Sequence, residues 1–139
     1  MSVDSAGMAA RLGIKPGMVV QELGWDEDAD EDLRDAIVDL SGGEMVDEDT
    51  AAVADVVILW WREDDGDLVD ALVDAIASLA DDGVVWLLVP KSGRPGHVEP
   101  GDVTEAAPTA GLSQTSSISA AKDWSGIRLV TPKAARTRR

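Results

Sequence analysis

Two stretches of this chain are apolar almost without interruption, and residues 54–61 (ADVVILWW) and 84–89 (VVWLLV) are also rich in β-branched side chains. Runs of that length and composition mark strands buried on both faces, so helices are expected above and below a sheet. Residues 18–23 (MVVQEL) follow the tight turn Lys15-Pro16-Gly17 and form an earlier strand. Between the strands the period changes. Across 29–40, Leu33, Ala36, Ile37 and Leu40 recur at helical spacing with Asp30, Glu31, Asp35 and Asp39 opposite them. Residues 66–80 repeat the design, with Leu68, Leu72, Ile76 and Leu79 set against Asp67, Asp70, Asp74 and Ser78. Acidic residues in the first turn of 29–40 suit the helix dipole, and Gly42-Gly43 and Asp81-Asp82-Gly83 close the two helices.

The remaining elements are shorter. A helical turn or two over 6–12 ends at Gly13, and 44–46 predicts a short strand. The loop 90–101 carries three prolines and three glycines and cannot hold regular structure. Asp102 and Glu105 make a capping box that opens a helix over 102–110, closed by Gly111. Strands at 113–119 and 127–131 are joined by 120–126, a length that fits a hairpin and makes the last strand antiparallel. This alternation predicts an α/β fold of three layers, a mostly parallel sheet finished by a C-terminal antiparallel hairpin strand. One domain spans 1–132, and 133–139 is a basic tail expected to be unstructured. Ligands of such sheets sit at the carboxyl ends of the strands. That rim collects 24–28, Trp60-Trp61-Arg62, 90–101 and 120–126.

Composition narrows the function. Twelve basic against 27 acidic residues give a net charge of −15, which disfavours non-specific contact with nucleic acid, DNA included, or an anionic membrane and favours basic partners, cations or plain solubility. The absence of cysteine excludes disulfides, thiolate metal sites and a cysteine nucleophile. No apolar run reaches the ~20 residues of a membrane span, and the start lacks a signal-peptide layout. A cytoplasmic protein is expected.

The succession LGIKPGMVVQELG, ADVVILWW, LADDGVVWLLVPKSG and a closing hairpin with DWSGIRLV resembles a shortened, Rossmann-like S-adenosylmethionine-dependent methyltransferase. More closely, it resembles a family of small, functionally uncharacterised proteins common in actinobacteria, over about residues 12–132. The resemblance implies a degenerate methyltransferase-like domain, which is a fold and not a reaction. In the methyltransferase pattern the acid on the first strand corresponds to Glu22, the first loop glycine to Gly24, and the acid that holds the ribose hydroxyls to Asp47. The later loop glycines correspond to Asp26 and Asp28, whose side chains stand where a cofactor would lie against bare backbone. Like charge there opposes the cofactor carboxylate by about 1–4 kcal/mol per close pair. No Asn-Pro-Pro-type motif follows ADVVILWW.

Asp26, Asp28 and Asp30 have the spacing that begins a calcium loop, but Glu31 and Ile37 stand where that loop needs glycine and glutamate. A solvated acidic loop is the plainer reading. All five aromatics are tryptophans. Trp86 lies mid-strand and reads as core. Trp60 and Trp61 point to opposite faces, so at most one lines a rim pocket; Trp25 and Trp124, in rim loops, need either packing or a ligand. Lys91 either binds an anion or offsets Asp26, Asp28 and Asp123. Ser125 lacks a nucleophile-elbow pattern, and His97 is a lone loop histidine. No catalytic residue, cofactor or metal site is expected. The leading reading is a non-catalytic methyltransferase-like domain that recognises a protein or small ligand at the rim through Trp25, Trp60, Trp61, Lys91, Trp124 and Ser125. The alternatives are an enzyme binding S-adenosylmethionine or a nucleotide in an atypical pose at the acidic loop, and an acidic competitor for a basic nucleic-acid-binding partner.

Overall fold

The strand at ADVVILWW is the centre of the molecule because both of its faces are apolar, and the layers build outward from it. The computed structural model describes residues 5–47 and 53–131, so the basic tail lies outside the described residues. The elements follow in the order α1 (Ser5–Arg11), β1 (Val20–Leu23), α2 (Glu31–Ser41), β2 (Ala54–Trp60), α3 (Leu68–Ile76), β3 (Leu79–Pro90), α4 (Pro100–Thr109), β4 (Ser113–Ser119) and β5 (Trp124–Val130). The sheet order is β1-β2-β3-β5-β4. β1, β2 and β3 run parallel, and β5 runs antiparallel between β3 and β4. The expected antiparallel last strand is therefore present, inserted within the sheet and not at its edge.

Alternation along each strand divides the core in two. Val57, Leu59, Val85, Leu87, Ile127 and Leu129 face α3 and α4, whose Leu72, Ala75, Val103 and Ala107 cover them. Val20, Val56, Ile58, Trp60, Trp86 and Leu88 face α1 and α2, with Leu33 and Ile37 above. Trp86 is core as expected, its indole N–H donating to the Leu12 carbonyl at 2.8 Å. α2 begins where Asp30 Oδ1 accepts from the Leu33 amide at 2.8 Å and stops at Gly42, whose φ of +88° is left-handed.

Beyond shifts of one or two residues at element ends, four segments depart from the sequence expectation. The 44–46 segment contributes only a single bridge, Val46 to Gln21. α3 ends at Ile76, and Leu79 to Gly83 joins β3, because Leu79 pairs with Ala54 of the neighbouring strand. Strand pairing there overrides helical periodicity. The Asp102 capping box does not form: α4 opens at Pro100, whose fixed φ suits a first helical turn, after an N-cap Glu99 that makes no side-chain cap bond. β5 starts at Trp124, so Trp124 and Ser125 are strand residues paired with Pro90 and Val89. Among the described residues no helix is long and apolar enough to cross a membrane.

Candidate functional site

β1 stands at the sheet edge beside β2, and the chain leaves the two strands toward opposite faces, into α2 on one side and α3 on the other. Strand ends that diverge in this way leave a crevice. Gly24 makes the turn out of β1 at φ +75°, and a Cβ there would overlap the Trp60 carbonyl oxygen. Only glycine lets this loop lie directly on the end of β2.

Arg62 then locks the loop in place. Its side chain is nearly buried, with Nη1 donating to the Gly24 carbonyl at 2.7 Å, the Trp60 carbonyl at 3.3 Å and Asp65 Oδ2 at 3.2 Å. Nε donates to Asp28 Oδ2 at 3.0 Å, and Nη2 completes the fork to Asp28 Oδ1. The guanidinium lies 5.2 Å from the centre of the Trp124 ring, whose N–H donates to the Asp28 carbonyl at 3.1 Å. The Arg62 hydrogen bond, above all, holds the Asp28 carboxyl below its ordinary value. Burial by itself would lower the Arg62 pKa, but the bonds to Asp28 and Asp65 outweigh it and the net shift is upward.

A second cluster occupies the α2 side. Glu22 accepts from Arg34 Nε at 2.6 Å and Nη2 at 2.7 Å and from the Trp60 indole N–H at 2.9 Å. Arg34 also meets Glu31 at 2.9 Å and lies 5.5 Å from the centre of the half-exposed Trp25 ring. The hydrogen bonds to Glu22, foremost, raise the Arg34 pKa.

Between the β1 edge, the end of β2 and the flank of α3 opens a cleft of about 650 Å³, walled by Gln21, Leu23, Trp25, Trp61, Asp65 and Asp74 among others. Gly24, Asp26, Trp60 and Arg62 also border it. Trp60 and Trp61 point to opposite faces as expected: Trp61 packs on the α3 side of the sheet with the cleft, whereas the fully buried Trp60 indole packs toward α2 and donates to Glu22. Three other rim residues do not border the cleft. Trp124 is buried edge-on against Trp60, with ring centres 4.8 Å apart. Ser125 borders a separate cavity of about 170 Å³ together with His97. Lys91 does not wall the cleft, and two of the three carboxylates it was read as offsetting have other cationic partners, Asp123 with Arg94 at 2.8 Å and Asp28 with Arg62, while Asp26 accepts from the Glu27 amide. Asp47 offers its backbone carbonyl to the Gln21 amide at 3.3 Å. Asp26, Asp28 and Asp30 diverge to the Glu27 amide, to Arg62 and to the Leu33 amide. Among the described residues no group of three or more His, Asp or Glu is placed to hold a metal ion.

Sequence reasoning placed Arg62 on the rim without assigning it a role, and it passed over Gln21, Arg34, Asp65 and Asp74. Two signals were legible: a lone cation directly after ADVVILWW, and a glutamine at an inward position of MVVQEL.

This architecture is that of the S-adenosylmethionine-dependent methyltransferases. The chain aligns with a methyltransferase of that class from Aquifex aeolicus at a TM-score of 0.63 and 14% identity, covering 91% of this chain and 88% of that one. A TehB-like S-adenosylmethionine-dependent methyltransferase from Corynebacterium glutamicum aligns at a TM-score of 0.57 and 13% identity, over 92% of this chain and 88% of that one. Likeness at such identity establishes the fold alone. The chain belongs to the family described as "Protein of unknown function (DUF3052)", whose model matches residues 9–133. Uncharacterised proteins of Mycobacterium tuberculosis and Mycobacterium bovis are 57% identical to it over 129 residues, 93% of this chain and 81% of theirs.

Proposed function

We propose that this chain is a recognition domain on a methyltransferase scaffold, holding a small ligand in the cleft between β1, β2 and α3 and transferring no methyl group. The observation that carries the reading is the Arg62 clamp. In a methyltransferase the loop after the first strand presents bare backbone to the cofactor. Here that loop presses on Trp60 at Gly24, its carbonyl is taken by Arg62, and Asp28 is held in the same fork. Glu22, the acid of the first strand, is likewise engaged by Arg34 and Trp60. The residues present do not fit S-adenosylmethionine, since the groups that would receive it already satisfy one another. The cleft, by contrast, lies on the α3 side of β1 and is of the size that takes small molecules.

Calorimetric titration with S-adenosylmethionine and S-adenosylhomocysteine tests the reading, with the expected result of no saturable heat. Binding of either with Kd of about 0.1 mM or tighter, weakened by Gly24→Ala or Glu22→Gln, would overturn it.

A further inference from the structure

The cleft holds one buried hydrogen-bond acceptor that no group among the described residues answers. On the α3-facing side of β1, Gln21 alternates with Val19 and Leu23, and it is 3% exposed. Its Nε2 donates to the Asp47 carbonyl. That bond sets the orientation of the amide, because the flipped group would place one acceptor against another. Gln21 Oε1 is then left buried with no donor. An apolar residue at this position would leave no such orphan, and a donor arriving from the cleft would satisfy it.

The same walls bear three carboxylates, those of Asp26, Asp65 and Asp74, from three separate segments of the chain. Among the described residues of the wall the one cation is Arg62, already divided among Asp28, Asp65 and two carbonyls. Asp74 lies across the cleft on the exposed flank of α3. Leu23, Trp25 and Ala71 give the cleft an apolar side along which methylenes can lie.

We propose that the cleft binds a small aliphatic amine in its cationic form, with ammonium N–H groups donating to Gln21 Oε1 and to the carboxylates of Asp26 and Asp74. This rests on the recognition reading above and names the ligand class of the same site. An anion would meet repulsion at each carboxylate, and a neutral diol would gain none of the charge attraction that a cation finds there.

The probe is 1,4-diaminobutane, titrated calorimetrically into the full chain near physiological salt, with 1,4-butanediol, succinate and magnesium chloride as controls. Saturable heat is expected for the diamine alone. Asp74→Asn, an exposed change that leaves the core intact, and Gln21→Leu should each weaken it by about tenfold, the loss of one charge-assisted bond. The inference falls if the diamine gives no saturable heat, if magnesium chloride competes with it equally at matched ionic strength, or if both variants bind as the parent does. Saturable binding of the diol or succinate overturns the assignment of a cation and leaves the recognition reading standing. Saturable binding of S-adenosylmethionine overturns the recognition reading itself.

Discussion

Replacing Arg62 by alanine tests the clamp directly. The substitution leaves the Gly24 and Trp60 carbonyls and the Asp28 carboxylate without their donor and opens a void beside the Trp124 ring. Hydrogen bonds to a charged group contribute about 1.5–3 kcal/mol each, and breaking one side of a buried pair costs about 3–5 kcal/mol. The bonds share one guanidinium and are not additive. The Asp28 side chain is also 53% exposed and that of Asp65 34%, so water recovers part of the loss. A net destabilisation of about 3 kcal/mol follows, a fall in Tm of about 10 °C for a domain of this size. Urea titration and scanning calorimetry of Arg62→Ala measure both. Arg62→Lys should recover less than half, because one ammonium cannot span two carbonyls and a carboxylate. The sign of the pH dependence follows from Asp28, whose folded pKa lies below its ordinary 3.8. A depressed carboxylate pKa gives stability that is present above the unfolded value and lost as pH falls through the folded one. The gap between parent and variant should thus be full at neutral pH and narrow once pH drops below 3.8. A loss under about 1 kcal/mol, or a gap that stays constant down to about pH 2, would refute the reasoning.

Further changes separate the parts of the site. Gly24→Ala combines a left-handed φ with overlap against the Trp60 carbonyl and should cost about 3 kcal/mol or more, whereas Gly13→Ala, at φ +86° in open space, should cost about 1 kcal/mol by urea titration. Glu22→Gln keeps an acceptor for the Trp60 indole but removes the charge facing Arg34. Its expected loss of about 1–2 kcal/mol should appear in Cm without a change in m. Asp30→Ala removes the cap of α2, for a loss of about 1 kcal/mol, while Asp67→Ala should lose less because its bond to the Asp70 amide is 3.3 Å long. Equal losses at the two caps would show that bond length does not govern their strength.

The layering of this chain was legible in its sequence because burial on both faces requires uninterrupted apolar residues, and ADVVILWW and VVWLLV admit no other placement. α2 was legible from its apolar stripe and from Gly42 at its end, while Asp30, read as part of the helix's polar face, proves to be its N-cap. Errors arose where a local signal met a competing long-range partner. Leu79 continues a helical stripe but pairs with Ala54, and Asp102 offers a capping box in a segment where Pro100 already starts the helix. The site divides in the same way. That carboxylates, tryptophans and one arginine meet at the strand ends follows from element order alone. That Asp28 is neutralised by Arg62, Glu22 by Arg34, and that Gln21 keeps an orphan oxygen is decided only in three dimensions. Charges 34 residues apart along the chain, as Asp28 and Arg62 are, become partners only when Gly24 folds its loop onto the neighbouring strand. The sequence determined which groups reach the rim, and tertiary structure determined which of them remain free, because electrostatic pairing depends on distance in space and carries no period along the chain.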